Sequence, residues 1–334
     1  MKSQSFNIEN VYIHSIGTIV GRLEKQGPLG KYFNNYIEDY YYETKSFEKA
    51  QIKMTKASIV DAINKSSYTF NDIKIAIAGD LSNQIFSSTS AVKEMMFPFV
   101  GIYAACASGI LAIILASIYM NQSNNDNALV YTSSHVCVSQ RQFRYPNEYA
   151  ILCKESTTKT VTSAVSLILS KNKEKIKINK ATIGKIVDVL SNNVNDLGSC
   201  MAYAAIDTFL THLENNKESL YDYDLIVTGD LGELGSKIFV EELNNKYEDI
   251  KEKYVDCGCL IYDDKKQKTM SGGSGPGCVM AVTFSYIYKL MEKGLYKKIL
   301  VIATGALHSQ ISIQQKETIP CIAHAITLEV EDDI

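Results

Sequence analysis

The chain has 334 residues with a formal net charge of −3; 46% of residues are hydrophobic, 21% are charged and only 5 are proline. This is ordinary globular composition, long enough for one large core or two fused half-domains, and a slightly acidic chain has no electrostatic footprint for nucleic acid. The eight cysteines (Cys106, Cys137, Cys153, Cys200, Cys257, Cys259, Cys278 and Cys321) form no CxxC pair. The start MKSQSFNIENVYI lacks an apolar secretory core, so free thiols in a reducing compartment are expected.

In chain order, hydrophobic periodicity predicts strand 11–20, helix 46–65, strand 74–78, a short helix near 88–96, strand 97–102, helix 106–120 and strands 128–133 and 160–170. The basic stretch Lys171 to Lys180, with Glu, Asn and Ile interleaved, reads as a solvated turn. The second run gives strand 181–188, helix 198–214, strand 224–228, helix 235–246, strand 257–262, helix 277–292 and strands 298–304 and 321–330. Strands alternating with helices argue for mainly parallel sheets covered on both faces.

Phe99 to Met120 runs 22 residues without a charge, the length of a bilayer span. It opens on the small residues Ala104 to Gly109 after Pro98, which suits a short strand feeding a helix buried on all sides. Internal repetition favours the buried helix. Ala76 to Leu81 (AIAGDL) is echoed by Ile226 to Leu231 (IVTGDL), and Cys106 by Cys278, 172 positions on. The strand leading to His135 is echoed by the one leading to His308, 173 positions on, and Lys154-Glu155-Ser156-Thr157 by Lys316-Glu317-Thr318-Ile319. The repeat-mate of the apolar helix carries Lys289 and is unsuited to a membrane, so both copies read as buried helices.

Cys106 falls where a strand ends and a helix begins, a place that lowers a thiol pKa and suits a nucleophile or an anion site. Ser271 to Cys278 (SGGSGPGC) precedes the equivalent helix, and its glycines allow close backbone approach. Its spacing matches neither a Walker loop nor a dinucleotide fingerprint. His135 and His308 follow strand ends, where ligands gather in α/β folds. Arg141 and Arg144, among aromatics, suit either a planar anion or salt bridges that pin a loop. Asp80 and Asp230 end equivalent strands and read as helix caps or ligand-orienting groups. His14 and His212 receive no role.

The duplicated pattern, with a cysteine opening a buried helix, resembles the thiolase superfamily. That resemblance implies a five-layered αβαβα sandwich of two halves, 1–175 and 176–334. Within it, the chain resembles the stage V sporulation protein AD family. The motifs that carry this are Gly27-Pro28-Leu29-Gly30, Ala78 to Leu81 with Asn83-Gln84, Thr132 to His135, Arg141 to Pro146, Thr228 to Leu231, Ser271 to Gly275, Ala303 to Leu307, and Gln314 to Pro320 before Ile322-Ala323-His324. The resemblance implies a non-catalytic protein, without metal or cofactor, that binds dipicolinic acid, free or as its calcium chelate. It also implies help with uptake into the developing spore through a membrane channel. The expected partners are that channel's membrane subunits, and the reading admits a homodimer. The expected location is cytoplasmic, held at the spore inner membrane by protein partners.

The ligand is expected between the N-termini of the two central helices. Cys106, Gly273, Ser274 and Ser309 would supply donors, with His135 and Arg144 as cationic helpers. Pro276, His308 and Ala107-Ser108-Gly109 depart from the family pattern around this pocket. The competing reading is a condensing or thiolytic enzyme with Cys106 as nucleophile, which needs second-half partners. Thr228 to Leu231 holds no histidine, and Ser271 to Gly277 holds neither histidine nor asparagine. Catalysis is therefore not expected. A scaffold that holds membrane subunits without binding ligand is the third reading.

Overall fold

The computed structural model describes residues 3–143 and 153–331. Thirteen strands are described: β1 Gln4–Val20, β2 Asn35–Tyr36, β3 Ala76–Asp80, β4 Phe99–Gly101, β5 Asn127–Ser134, β6 Lys159–Thr160, β7 Ser163–Ser170, β8 Ile176–Ile183, β9 Leu225–Thr228, β10 Tyr254–Asp256, β11 Gly273–Ser274, β12 Lys298–Ala306 and β13 Cys321–Val330. Ten of them fall into two blocks of matching order, β1-β7-β5-β3-β4 and β8-β13-β12-β9-β10; β2 pairs with β1, and β6 with β11 forms a separate two-stranded sheet. In each block the first two pairings are antiparallel and the last two parallel. The duplication read from the sequence is therefore a duplication of topology. The blocks join where the first part of β1 pairs antiparallel with β8.

Strand alternation sorts the side chains into layers. In β5, Ala128 and Val130 face the central core while Leu129 and Tyr131 face the outer helices Phe47–Asn64 and Phe86–Val92. In β12, Ile299, Val301 and Ala303 face the centre while Leu300 and Ile302 pack with Phe209 and Phe239 of the outer helices Leu197–Asn216 and Gly232–Asn244. Between the blocks lie two central helices, completing helix, sheet, helix, sheet, helix.

The first central helix is Ser108–Gln122, preceded by a 3-10 turn at Ala105–Ala107. Its Ile110, Ile113 and Ile114 are fully buried; each is worth about 1.5–3 kcal/mol of apolar burial. The charge-free stretch is thus a core helix, held between the two blocks. The second central helix runs as an α segment Pro276–Ala281, a π segment Val282–Ile287 and an α segment Tyr288–Glu292. Pro276 is its first residue, where a missing N–H costs nothing and the fixed φ is already helical.

Two expected elements are corrected. Residues 257–262 do not form a strand: the strand stops at Asp256, whose side chain accepts from Cys259 N and caps the helix Cys257–Ile261. Strand 181–188 begins instead at Ile176, inside the stretch expected to be a turn. There Ile176 and Ile178 point inward while the alternate lysines remain at the surface, an amphipathic strand hidden by its charge.

Candidate functional site at the join of the halves

Cys106 sits in the turn that feeds the first central helix. Ala105 holds a left-handed φ of 47°, and Ser108 Oγ ties the turn by accepting from Ala104 N (3.0 Å) and donating to Ala105 O (2.7 Å). From the other half, β12 lies against this turn at Gly305, where a Cβ would come within 2.3 Å of Ala104 O. The close approach therefore requires glycine.

Opposite the thiol stands Asp230, two residues beyond β9 and almost fully buried. Its carboxylate accepts from Gly275 N (3.0 Å) and Thr304 Oγ1 (2.7 Å) and faces the Cys106 thiol. Burial pushes the Asp230 carboxyl up to about 6. The Cys106 thiol is raised well above its ordinary value by burial, then by the charge and hydrogen bond of Asp230. A buried thiol beside a carboxylate is held protonated, the opposite of an activated nucleophile.

Around Cys106 is a cavity of about 70 Å³, room for a few waters. The first half contributes Leu81, Cys106, Ser139, Gln140, Phe143, Thr157, Thr158 and Thr160; the second contributes Asn195, Met201, Ser274, Ala306 and His308. Three lining residues bring buried polar atoms without hydrogen-bond partners: Ser139 Oγ, Gln140 Oε1 and His308 Nδ1. An unsatisfied buried polar group costs about 1–3 kcal/mol, so three around one cavity mark a place built for a polar occupant. A second, more open recess of about 400 Å³ adjoins it, sharing Leu81, Phe143 and His308 and adding Asn83, Tyr103, Gln142 and Ser309.

The structure brings together only some of the residues expected at the site. Cys106 and Ser274 line the same cavity. Gly273 lies beside Ser274 in β11, which pairs with β6; a Cβ there would meet Ile261 Cγ2 at 2.6 Å, so it packs inside the protein. Ser309 lines the outer recess and caps the helix Gln310–Gln314.

His135 is not at the cavity. It is fully buried between the rings of Tyr40 and Phe47. Its Nδ1 accepts from Cys137 N (3.2 Å), so Nε2 carries the hydrogen and donates to Tyr40 O (2.9 Å). Burial lowers its pKa to about 4, so it is neutral and is no cationic helper. Arg144 lies outside the described residues, and Arg141 pairs with Glu48 at 2.9 Å. Sequence reasoning missed Ser139 and Gln140. It weighed Asp230 as a cap or a ligand-orienting group but missed its pairing with Cys106. Among the described residues, no group of three or more His, Cys, Asp or Glu side chains is placed to hold a metal ion.

A buried central helix headed by a cysteine, between two blocks of the same topology, defines a thiolase-like protein. The chain resembles 3-oxoacyl-[acyl-carrier-protein] synthase III of Aquifex aeolicus with a TM-score of 0.59 and 14% identity, over 96% of this chain and 99% of that one. It also resembles a variant of OleA from Xanthomonas campestris, with a TM-score of 0.62 and 14% identity over 97% and 99% of the two chains. At that identity the likeness is one of fold. The family model for stage V sporulation protein AD matches residues 2–329. The stage V sporulation protein AD of Bacillus subtilis (strain 168) is 37% identical over 319 residues, 96% of this chain and 94% of that protein. The chain belongs to the stage V sporulation protein AD family.

Proposed function

We propose that the cavity beside Cys106, together with the recess that adjoins it at His308, binds pyridine-2,6-dicarboxylate without chemistry on it, and that the protein assists the compound's uptake into the developing spore. The observation that carries this reading is the set of unpartnered polar atoms of Ser139, Gln140 and His308 around one cavity at the join of the halves. A flat ring with carboxylates at both ends needs donors on two sides of a slot. Ser139 Oγ–H and the Gln140 amide, whose two ends are interchangeable by rotation, lie on one wall, and His308 comes from the other half. The Cys106–Asp230 pairing supports a binding role over acyl transfer, since it withholds the thiolate a condensing enzyme needs.

Calorimetric titration with pyridine-2,6-dicarboxylate, beside its 3,5-isomer, tests the reading. The 2,6-isomer should bind and the 3,5-isomer should not. Ser139→Ala should weaken binding about tenfold, the loss of one hydrogen bond to a charged group. Equal binding of both isomers, or no effect of Ser139→Ala and Cys106→Ala in folded protein, places the site elsewhere. Incubation with acetyl-CoA followed by mass spectrometry should show no acetyl-Cys106 and no turnover. The same reading puts the protein at the spore inner membrane through protein partners, so it should pellet with that membrane only when the channel subunits are present.

A further inference from the structure

We propose that His308 selects an anionic ligand by taking up a proton as the ligand enters, so that binding in this cavity is coupled to protonation. The inference rests on the reading of the cavity as a site for an aromatic carboxylate. His308 stands where the cavity and the outer recess meet, and its ring packs on Phe143 with centroids 5.1 Å apart. Its Nδ1 is buried and has no hydrogen-bond partner, in contrast to His135, whose two nitrogens are both bonded.

The groups that face His308 are nearly all neutral. From the 3-10 turn and the residues before it come Cys106 and Tyr103; from the helix Val136–Phe143 come Ser139, Gln140 and Gln142. Asp230 lies behind Cys106 with its oxygens bonded to Gly275 and Thr304. Arg141, on the same helix, is engaged by Glu48. No Lys, Arg, Asp or Glu is among the described residues that line either space.

Among the described residues, a carboxylate entering this cavity finds no standing cation, and burying an unpaired charge is strongly unfavourable. Burial holds empty-state His308 neutral, with its pKa lowered to about 4. A carboxylate within hydrogen-bond reach favours the imidazolium. One proton then moves from solvent to the imidazole, and a charge-assisted pair replaces an unpartnered nitrogen. Because the ligand raises the pKa of His308, affinity falls as pH rises from about 4 to the raised value. The slope is at most about tenfold per pH unit.

The test is calorimetry with pyridine-2,6-dicarboxylate, pyridine-2-carboxylate and benzoate between about pH 5.5 and 7.5, in two buffers of different ionisation enthalpy. The parent protein is compared with His308→Gln, in which any proton taken up on binding belongs to the ligand or to Asp230, whose carboxyl is pushed up to about 6. The expected result is greater proton uptake in the parent than in His308→Gln, and a pH slope that is steeper in the parent than in the variant. The imidazole proton resonances of the parent, with and without ligand, read the same event without a substitution. Equal proton uptake in both proteins, or an imidazole that stays neutral when ligand is bound, overturns the role of His308 and leaves the ligand reading intact. Binding of only the monocarboxylates, with His308-dependent uptake, removes pyridine-2,6-dicarboxylate and upholds the proton coupling. No binding by any of the three overturns both.

Discussion

Asp80 and Asp230 occupy the same place in the two Gly-Asp-Leu repeats, yet their carboxylates turn in different directions. Asp80 is satisfied inside its own half. It accepts from Ser82 N and Ser88 N (both 2.7 Å), from Ser88 Oγ (2.6 Å) and from Ser82 Oγ, pinning the loop that leads into the helix Phe86–Val92. Asp230 reaches across the join to the first half's Cys106 as well as to Gly275 and Thr304 of its own. The two strand-end histidines diverge in the same sense, since His135 is bonded at both nitrogens and His308 borders a cavity with one nitrogen bare. When a duplicated motif is locally satisfied in one copy and open in the other, the open copy marks the site.

Removing the satisfied carboxylate should destabilise the fold most. Asp80→Ala strands two buried N–H groups and two hydroxyls. The expected loss is about 3–4 kcal/mol, read as a lowered midpoint in chemical denaturation.

His135→Ala comes next, at about 2–3 kcal/mol near neutral pH, while His308→Leu should stay within about 1 kcal/mol because no bond is lost. The His135 pKa is lowered to about 4 from 6.5. Its contribution is therefore present above 6.5, where both states are neutral, and is lost as pH falls toward 4, where the unfolded state takes the proton first. Denaturation curves across that window should fall less steeply in His135→Ala than in the parent.

Asp230→Asn should cost about 1 kcal/mol but raise the alkylation rate of Cys106. Removing the facing charge lowers the thiol pKa, although burial, the larger cause, remains. Iodoacetamide labelling followed by mass spectrometry at fixed pH measures the change. An unchanged rate would mean that burial alone holds the thiol. The smallest effect is expected of Pro276→Ala, about 0.4–1 kcal/mol through freedom gained by the unfolded chain, with ligand binding unaltered.

The repeat made the fold legible, because strand period, helix period and matching chain order all pointed to two copies of one topology. What escaped was local. The lysines of β8 obscured an alternating strand, and Asp256 turned an apolar run into a capped helix. At the site, Cys106 and Ser274 were readable from their place before the two central helices. His135 was not, and the reason is register. It follows the last residue of β5 directly, whereas His308 stands two residues beyond the end of β12. One residue of offset at a strand end turns a side chain to the other face. The contact between Cys106 and Asp230 joins residues far apart in sequence from different halves, and no local pattern announces it.

The long first strand has a consequence for how the protein is made. Tyr12 to Val20 of β1 pair with β7, while Gln4 to Asn7, Val11 and Tyr12 pair with β8, so that Gln4 meets Ile183. On a ribosome adding about 5–20 residues per second, the partner of Gln4 is made on the order of 10–35 s after Gln4 itself. During that interval the opening segment of the chain has an uncompleted edge. A stalled or truncated chain ending before β8 would carry that edge with nothing to cover it, so aggregation of nascent fragments, more than of the finished protein, is the hazard built into this topology.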